Sequence, residues 1–97
     1  MYMKGLNVQL PVQIVKQGKY FVVYSPALDI TTSGKTLSEV RKRFNEIVGI
    51  FFNELIEAGT LHDVLTELGW SQRSVNTAWQ PPKTQSNSFD VKIPVMA

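Results

Sequence analysis

Residues 34–36 read Gly-Lys-Thr, the triplet that closes a phosphate-binding loop, and they stand between an apolar stretch and a helix-like pattern. Such a loop needs an earlier glycine, five positions before the second, so that successive N–H groups can turn onto phosphate oxygens. That position holds Asp29. Its carboxylate would repel phosphate, and the β-branched Ile30 and Thr31 resist the positive φ angles of the cradle. The same residues fit a helix start instead, with Thr36 as N-cap, Glu39 completing a capping box, and Gly34 turning the chain out of a preceding strand.

The remaining candidates for chemistry are few. His62 is the single histidine and the chain has no cysteine, so a histidine or cysteine metal site lacks partners and thiolate chemistry is absent. His62 reads as a solvent-facing or capping residue in the first turn of a short helix. The acids Asp29, Glu39, Glu46, Glu54, Glu57, Asp63, Glu67 and Asp90 fall mostly on helix surfaces, whereas a two-metal nuclease needs carboxylates converging from neighbouring strands and a helix. Only Asp29 and Asp90 lie near strands, at opposite edges of the expected sheet. No serine has a histidine and an acid in a recognisable nucleophile elbow. The expectation is a protein with no catalytic residue, no cofactor and no metal. The candidate anion contact is the basic group Lys35, Arg41, Lys42 and Arg43, which could meet nucleic acid or an acidic partner face, or simply be a solvated helix surface. Tyr20, Phe21 and Tyr24 could stack bases, but neither RNP-like glycine spacing nor a basic strand accompanies them.

Composition narrows the class further. Ninety-seven residues, 43% of them hydrophobic, suit one domain over 1–97 with a single core. A net charge of +2 does not mark a general polyanion binder. The apolar run at 47–52 is far shorter than the roughly 20 residues that span a bilayer. With no cleavable leader pattern at the N-terminus, the expected location is cytoplasmic, without membrane contact.

The elements that must position these residues follow from periodicity. Val8, Leu10, Val12 and Ile14 alternate on one face of a strand over Val8–Val15, with Pro11 at its start, at a bulge or beside an unpaired edge. Gln17 and Gly18 turn into a second strand over 19–25, and residues 28–33 alternate as a third, shorter one. A helix over Leu37–Ala58 carries the stripe Leu37, Val40, Phe44, Ile47 or Val48, Phe51 and Leu55, and ends at Gly59. A second capping box, Thr60 to Asp63, opens a short helix that stops at Gly69. Residues 70–88 form an irregular loop with Trp79 pinned to the body, and Phe89, Val91, Ile93 and Val95 alternate as a last strand. The expected fold is an α+β two-layer sandwich, β-β-β-α-(α)-β. Its mixed four-stranded sheet has the order 3-2-1-4, with one long helix packed on one face. A helix of that length reaches about 33 Å against about 20 Å for the strands, so its end overhangs the sheet. The overhang carries Ile50, Phe52 and Ile56, which serve either self-association or contact with the short helix and Trp70 folding back. A homo-oligomer is expected, with a dimer the simplest form.

The stretch GKYFVVYSPALDITTSGKTLSEVRKRFNEIVGIFFNELIEAGTLHDVLTELGW resembles the HicB-like antitoxin family. The resemblance rests on an aromatic and valine-rich hairpin, a Tyr-x-Pro-x-Leu step at Tyr24, Pro26 and Leu28, and a Gly-x-Thr-Leu-x-Glu lead into the helix at Gly34, Thr36, Leu37 and Glu39. The last expected strand ends in the family's Ile-Pro-Val style at Ile93, Pro94 and Val95, and the likeness runs from about Val8 onward. It implies a stand-alone, partially RNase H-like domain without nuclease residues. Such a domain neutralises a HicA-type toxin, a small RNA-cleaving protein, by covering its catalytic and RNA-binding surface. Tyr24, Pro26, Leu28 and Asp29 are then expected near the partner surface. Many family members follow the Pro-x-Leu step with a Pro-Gly turn and a cysteine; this chain reads Asp29-Ile30, one residue shorter. Many also append an operator-binding module, and DNA binding is not expected of this chain alone. The alternatives are an orphan scaffold or regulator of the same fold, or a nucleic-acid-binding domain using Arg41 to Arg43.

Overall fold

A computed structural model describes residues 8–74 and 78–95, in the order β1 (Gln13–Gln17), β2 (Tyr20–Ser25), β3 (Ile30–Gly34), α1 (Leu37–Ala58) and α2 (Leu61–Glu67). The β1–β2 hairpin closes on Gly18 and Lys19. Gly18 has φ 59 while Lys19 stays out of the positive region, the pattern of a two-residue turn with glycine in its first position. Pairing runs from Gln17↔Tyr20 to Gln13↔Tyr24. Two residues further in the same register Pro11 would stand opposite Pro26, and neither has an N–H to give. This is why β1 starts at Gln13 rather than Val8, while the tight turn at Gly18 and Lys19 lets it reach Gln17 rather than Val15.

β2 and β3 are also antiparallel, from Phe21↔Gly34 to Ser25↔Ile30, so the sheet is three-stranded in the order β1-β2-β3. The turn between them ends on Asp29, whose φ of 55 makes it the only non-glycine residue with positive φ among the described residues. The third strand therefore begins at Ile30, two residues later than periodicity predicts, because Leu28 is drawn into the core and Asp29 reverses the chain. Laddering of Ile30–Gly34 also disposes of the phosphate-loop reading, since the segment is an extended strand whose alternate residues bond to β2, not a curled loop of N–H groups converging on an anion.

The fourth strand is the main correction. Residues 89–95 form no strand, and Phe89, Val91, Ile93 and Val95 are 72 to 89% exposed. The chain is thus α+β with a three-stranded antiparallel sheet and two helices, and the mixed four-stranded sheet of order 3-2-1-4 is not formed. Alternation specifies which side chains share a face of a strand, but it does not name the neighbour that the strand pairs with.

α1 matches its expected bounds because its signals are local. The Thr36 hydroxyl accepts from the Glu39 N–H at 3.0 Å, and Gly59 ends the helix at φ 70. The Glu39 carboxylate reaches back to the N–H of Lys35 at 3.4 Å, one residue earlier than a capping box places it. Gly34 is not a turn residue but the last residue of β3, and a Cβ there would sit 3.1 Å from the Val40 nitrogen. It allows close approach of strand to helix. The second box fails, for Thr60 (φ −111, ψ 9) makes no side-chain cap bond. After α2 the chain turns at Gly69, φ 94.

The core gathers at one end of α1. Ala27, Leu28, Leu65 and Trp70 are buried together, with Phe51, Phe52, Leu61 and Trp79 packed against them. The Trp70 indole N–H donates to the Ala27 carbonyl at 2.8 Å, tying the β2–β3 turn to the segment after α2. α1 rests on β3, β2 and α2 and not on β1, so Val40 is the only buried residue in its 22.

Candidate partner-binding surface

Register assigns every strand side chain to a face. Ile14, Val23 and Thr32 are cross-strand partners and share the helix side with Phe21 and Ser25, while Gln13, Tyr24 and Thr31 share the other. The outer face is uncovered: Val15 pairs with Val22, and Val15 and Tyr20 are 50% and 48% exposed. It is therefore a mixed strip in which Val15, Tyr20, Val22 and Tyr24 stand among Gln13, Gln17, Thr31 and Ser33, with Val22 and Tyr24 half-buried.

At the rim of this strip the Tyr24 hydroxyl donates to the Asp29 carboxylate at 3.1 Å. That bond holds the tyrosine protonated and pushes its pKa above the usual 10.0; desolvation and the negative charge of Asp29 add in the same direction. The left-handed backbone at Asp29 aims the carboxylate back over the strand, a conformation that aspartate tolerates better than most residues. Pro26 is half-buried between the two. Leu28, expected on the partner side, is 2% exposed and belongs to the core beneath the turn. Geometry thus brings Tyr24 and Asp29, two of the residues expected near a partner, together with the flanking Val15, Tyr20 and Val22 on one sheet face, and the β1–β2 register is what places these last three beside Tyr24.

The opposite face holds a second apolar opening. Between β1 and α1 lies a groove of about 1230 Å³, walled by Val12, Ile14, Leu37, Phe44, Val48 and Phe52. Val8 and Leu10 also line it, as does Gln9 between them, so residues 8–10 run along the groove without the strict alternation of a paired strand. Ile14 and Leu37 are 53% and 52% exposed.

The self-association trio divides. Phe52 is half-buried, with its ring edge-on to Phe51 at 5.5 Å and to Trp70 at 6.2 Å, whereas Ile50 and Ile56 are 58% and 40% exposed. The fold-back of Trp70 covers part of the overhang.

The basic group does not converge. Arg41, Lys42 and Arg43 leave the helix at successive angles of about 100°, so Arg41 turns to the groove while Arg43 turns to β3. Arg43 donates to the Ser33 carbonyl at 2.9 Å and pairs with Glu39 at 3.2 Å, an exposed i,i+4 pair of the weak kind. Lys35 and Lys42 are exposed. His62 lies edge-on to Trp79 with ring centroids 5.5 Å apart and stands 3.8 Å from Asp63, both side chains being largely exposed. That contact helps pin Trp79, as does the bridge between Ser71 and Gln80.

Among the described residues no group of three or more acidic or histidine side chains is placed to hold a metal ion, and no helix is long and apolar enough to cross a membrane. The Ser25 hydroxyl is fully buried without a hydrogen-bond partner. Comparison of the chain with protein-family profiles, with curated proteins and with solved structures gives no match.

Proposed function

We propose that this protein works by adhesion, as a non-catalytic antitoxin of the HicB-like kind that occludes a HicA-type RNA-cleaving toxin. The observation that supports this reading is the uncovered outer sheet face, where Val15, Tyr20 and Val22 present apolar surface beside a tyrosine clamped by Asp29. Rigid aromatic anchors with a fixed polar neighbour are the features that carry energy in protein interfaces. Occlusion asks nothing further of the inhibitor than shape and burial.

The test is inhibition of RNA cleavage by a HicA-type toxin co-expressed with this protein. Stoichiometric addition of the purified protein stops cleavage, and the pair Tyr24→Ala with Asp29→Ala relieves the block. Failure of the two proteins to co-purify, or RNA cleavage by this chain alone, refutes the proposal. A gel shift that weakens steeply with salt and disappears on neutralising Arg41, Lys42 and Arg43 would replace it with nucleic-acid binding.

A further inference from the structure

Two incomplete strand features occur in the same molecule. β1 is a free sheet edge with all five residues exposed. Next to a two-residue turn the flanking pair, Gln17 and Tyr20, exchanges both backbone bonds. By alternation Gln13, Val15 and Gln17 direct theirs to β2, leaving Ile14 and Lys16 to present N–H and C=O to the open edge. The other edge is guarded, since α1 lies against β3 and Arg43 occupies the Ser33 carbonyl.

Residues 89–95, FDVKIPV, supply the complementary half. Their apolar side chains alternate, and they lie 72 to 89% exposed. Pro94 fixes how such a strand can add. It lacks an N–H, so it must point away from the ladder, and then Val91, Ile93 and Val95 point their backbone groups at β1. In an antiparallel pair the residues that exchange bonds stand directly opposite and share a face, which sets these apolar side chains beside Ile14, over the groove. In a parallel pair the same side chains reach the groove only if Pro94 faces β1, where it breaks the ladder. The order of elements matters here. A strand returning over α1 in its own chain would lie parallel to β1, the arrangement that Pro94 opposes.

We infer that residues 89–95 of one copy add antiparallel to the β1 edge of a second copy, with the exchange made reciprocally by a twofold axis. Each chain keeps its own three-stranded sheet and lends an arm. The molecule has the surface to bury: it exposes 8505 Å², against about 5,600 Å² for a compact monomer of its mass, and its long axis is 61 Å against 28 and 21 Å. Four apolar side chains at on the order of 100 Å² each, the groove they cover, and the symmetric copy together bury roughly 1,600 Å², the size of a stable interface. Outward-facing Pro94 then caps the new edge against further addition. This pairing stands independently of any toxin.

The experiment uses the full chain, which has no cysteine of its own. Unlabelled protein carrying a nitroxide on Asp90→Cys is mixed with isotope-labelled protein that carries none. A dimer mass by light scattering, together with broadening of the Ile14, Val15 and Lys16 amides in the mixed sample, is expected. The double variant Val91→Lys with Ile93→Lys, at exposed positions, should give a monomer that keeps its helical circular dichroism and broadens nothing. A monomeric parent chain overturns the inference. So does a dimer whose β1 amides stay sharp, which would place association elsewhere, or broadening only where label and isotope are on one chain, which would mean an arm folded back on itself.

Discussion

The two flanks of α1 differ in how completely they are covered. Toward α2 the helix meets Leu65, Trp70 and the β2–β3 turn, and side chains far apart in sequence close into a core joined by the indole bond to Ala27. Toward β1 it meets nothing, and Ile14, Leu37 and Phe44 line an open groove instead. Both flanks are apolar. A helix buries a face only where another element arrives to cover it, so hydrophobic pattern alone does not reveal which flank is closed within one chain and which is left for another.

Substitution on each flank tests this contrast. Trp70→Ala should have the largest effect, about 3 to 5 kcal/mol for the lost ring, aggravated by an unpartnered Ala27 carbonyl. Phe44→Ala, on the groove wall, should cost only about 1 to 1.5 kcal/mol in urea unfolding of the same protein at low concentration. Equal losses would abolish the distinction. Gly34→Ala should follow at about 1 to 3 kcal/mol, since backbone atoms of Val40 stand within 3.1 to 3.3 Å of the new Cβ and have little room to retreat.

Gly49 acts in the other direction. It lies within α1 on the groove side, and a Cβ there meets nothing within 4 Å. Gly49→Ala should raise stability by about 0.5 to 1 kcal/mol, visible as a later thermal midpoint. The smallest effect concerns the outer face. Tyr24 titrates above 10.0 because its proton is shared with Asp29, so the associated stability is complete below the ordinary tyrosine value and fades as pH rises through the raised one. Asp29→Asn should bring this tyrosine's ultraviolet titration back down, and an unchanged curve would mean that the bond does not persist in solution.

How much of this is legible from residues depends on how local the signal is. α1 is readable end to end, because Thr36, Glu39 and Gly59 act within a turn of the ends that they define. Strand faces are equally readable. Strand limits are not, since the start of β1 depends on what lies across from Pro11 and the start of β3 on the left-handed Asp29, and both are set by partners distant in sequence. Of the candidate site, Tyr24 and Asp29 reach the surface and bond to each other, but Leu28 is buried. A leucine after a proline step looks the same whether it faces a partner or Trp70. The arm at 89–95 has a strand's alternation and no strand's pairing, for nothing in its own residues names a neighbour.

The two prolines that the register of the first hairpin would bring opposite one another, Pro11 and Pro26, also guard alignment. A slip that moved β1 along β2 toward its N-terminal side would carry Pro11 into the ladder, where its missing donor forfeits a bond, and a one-residue slip would turn Ile14 outward as well. With Gly18 holding the other end, the hairpin is keyed at both extremities, like a zip with a stop at its foot and its slider at the top. An edge so exposed can then accept a visiting strand without losing its own alignment.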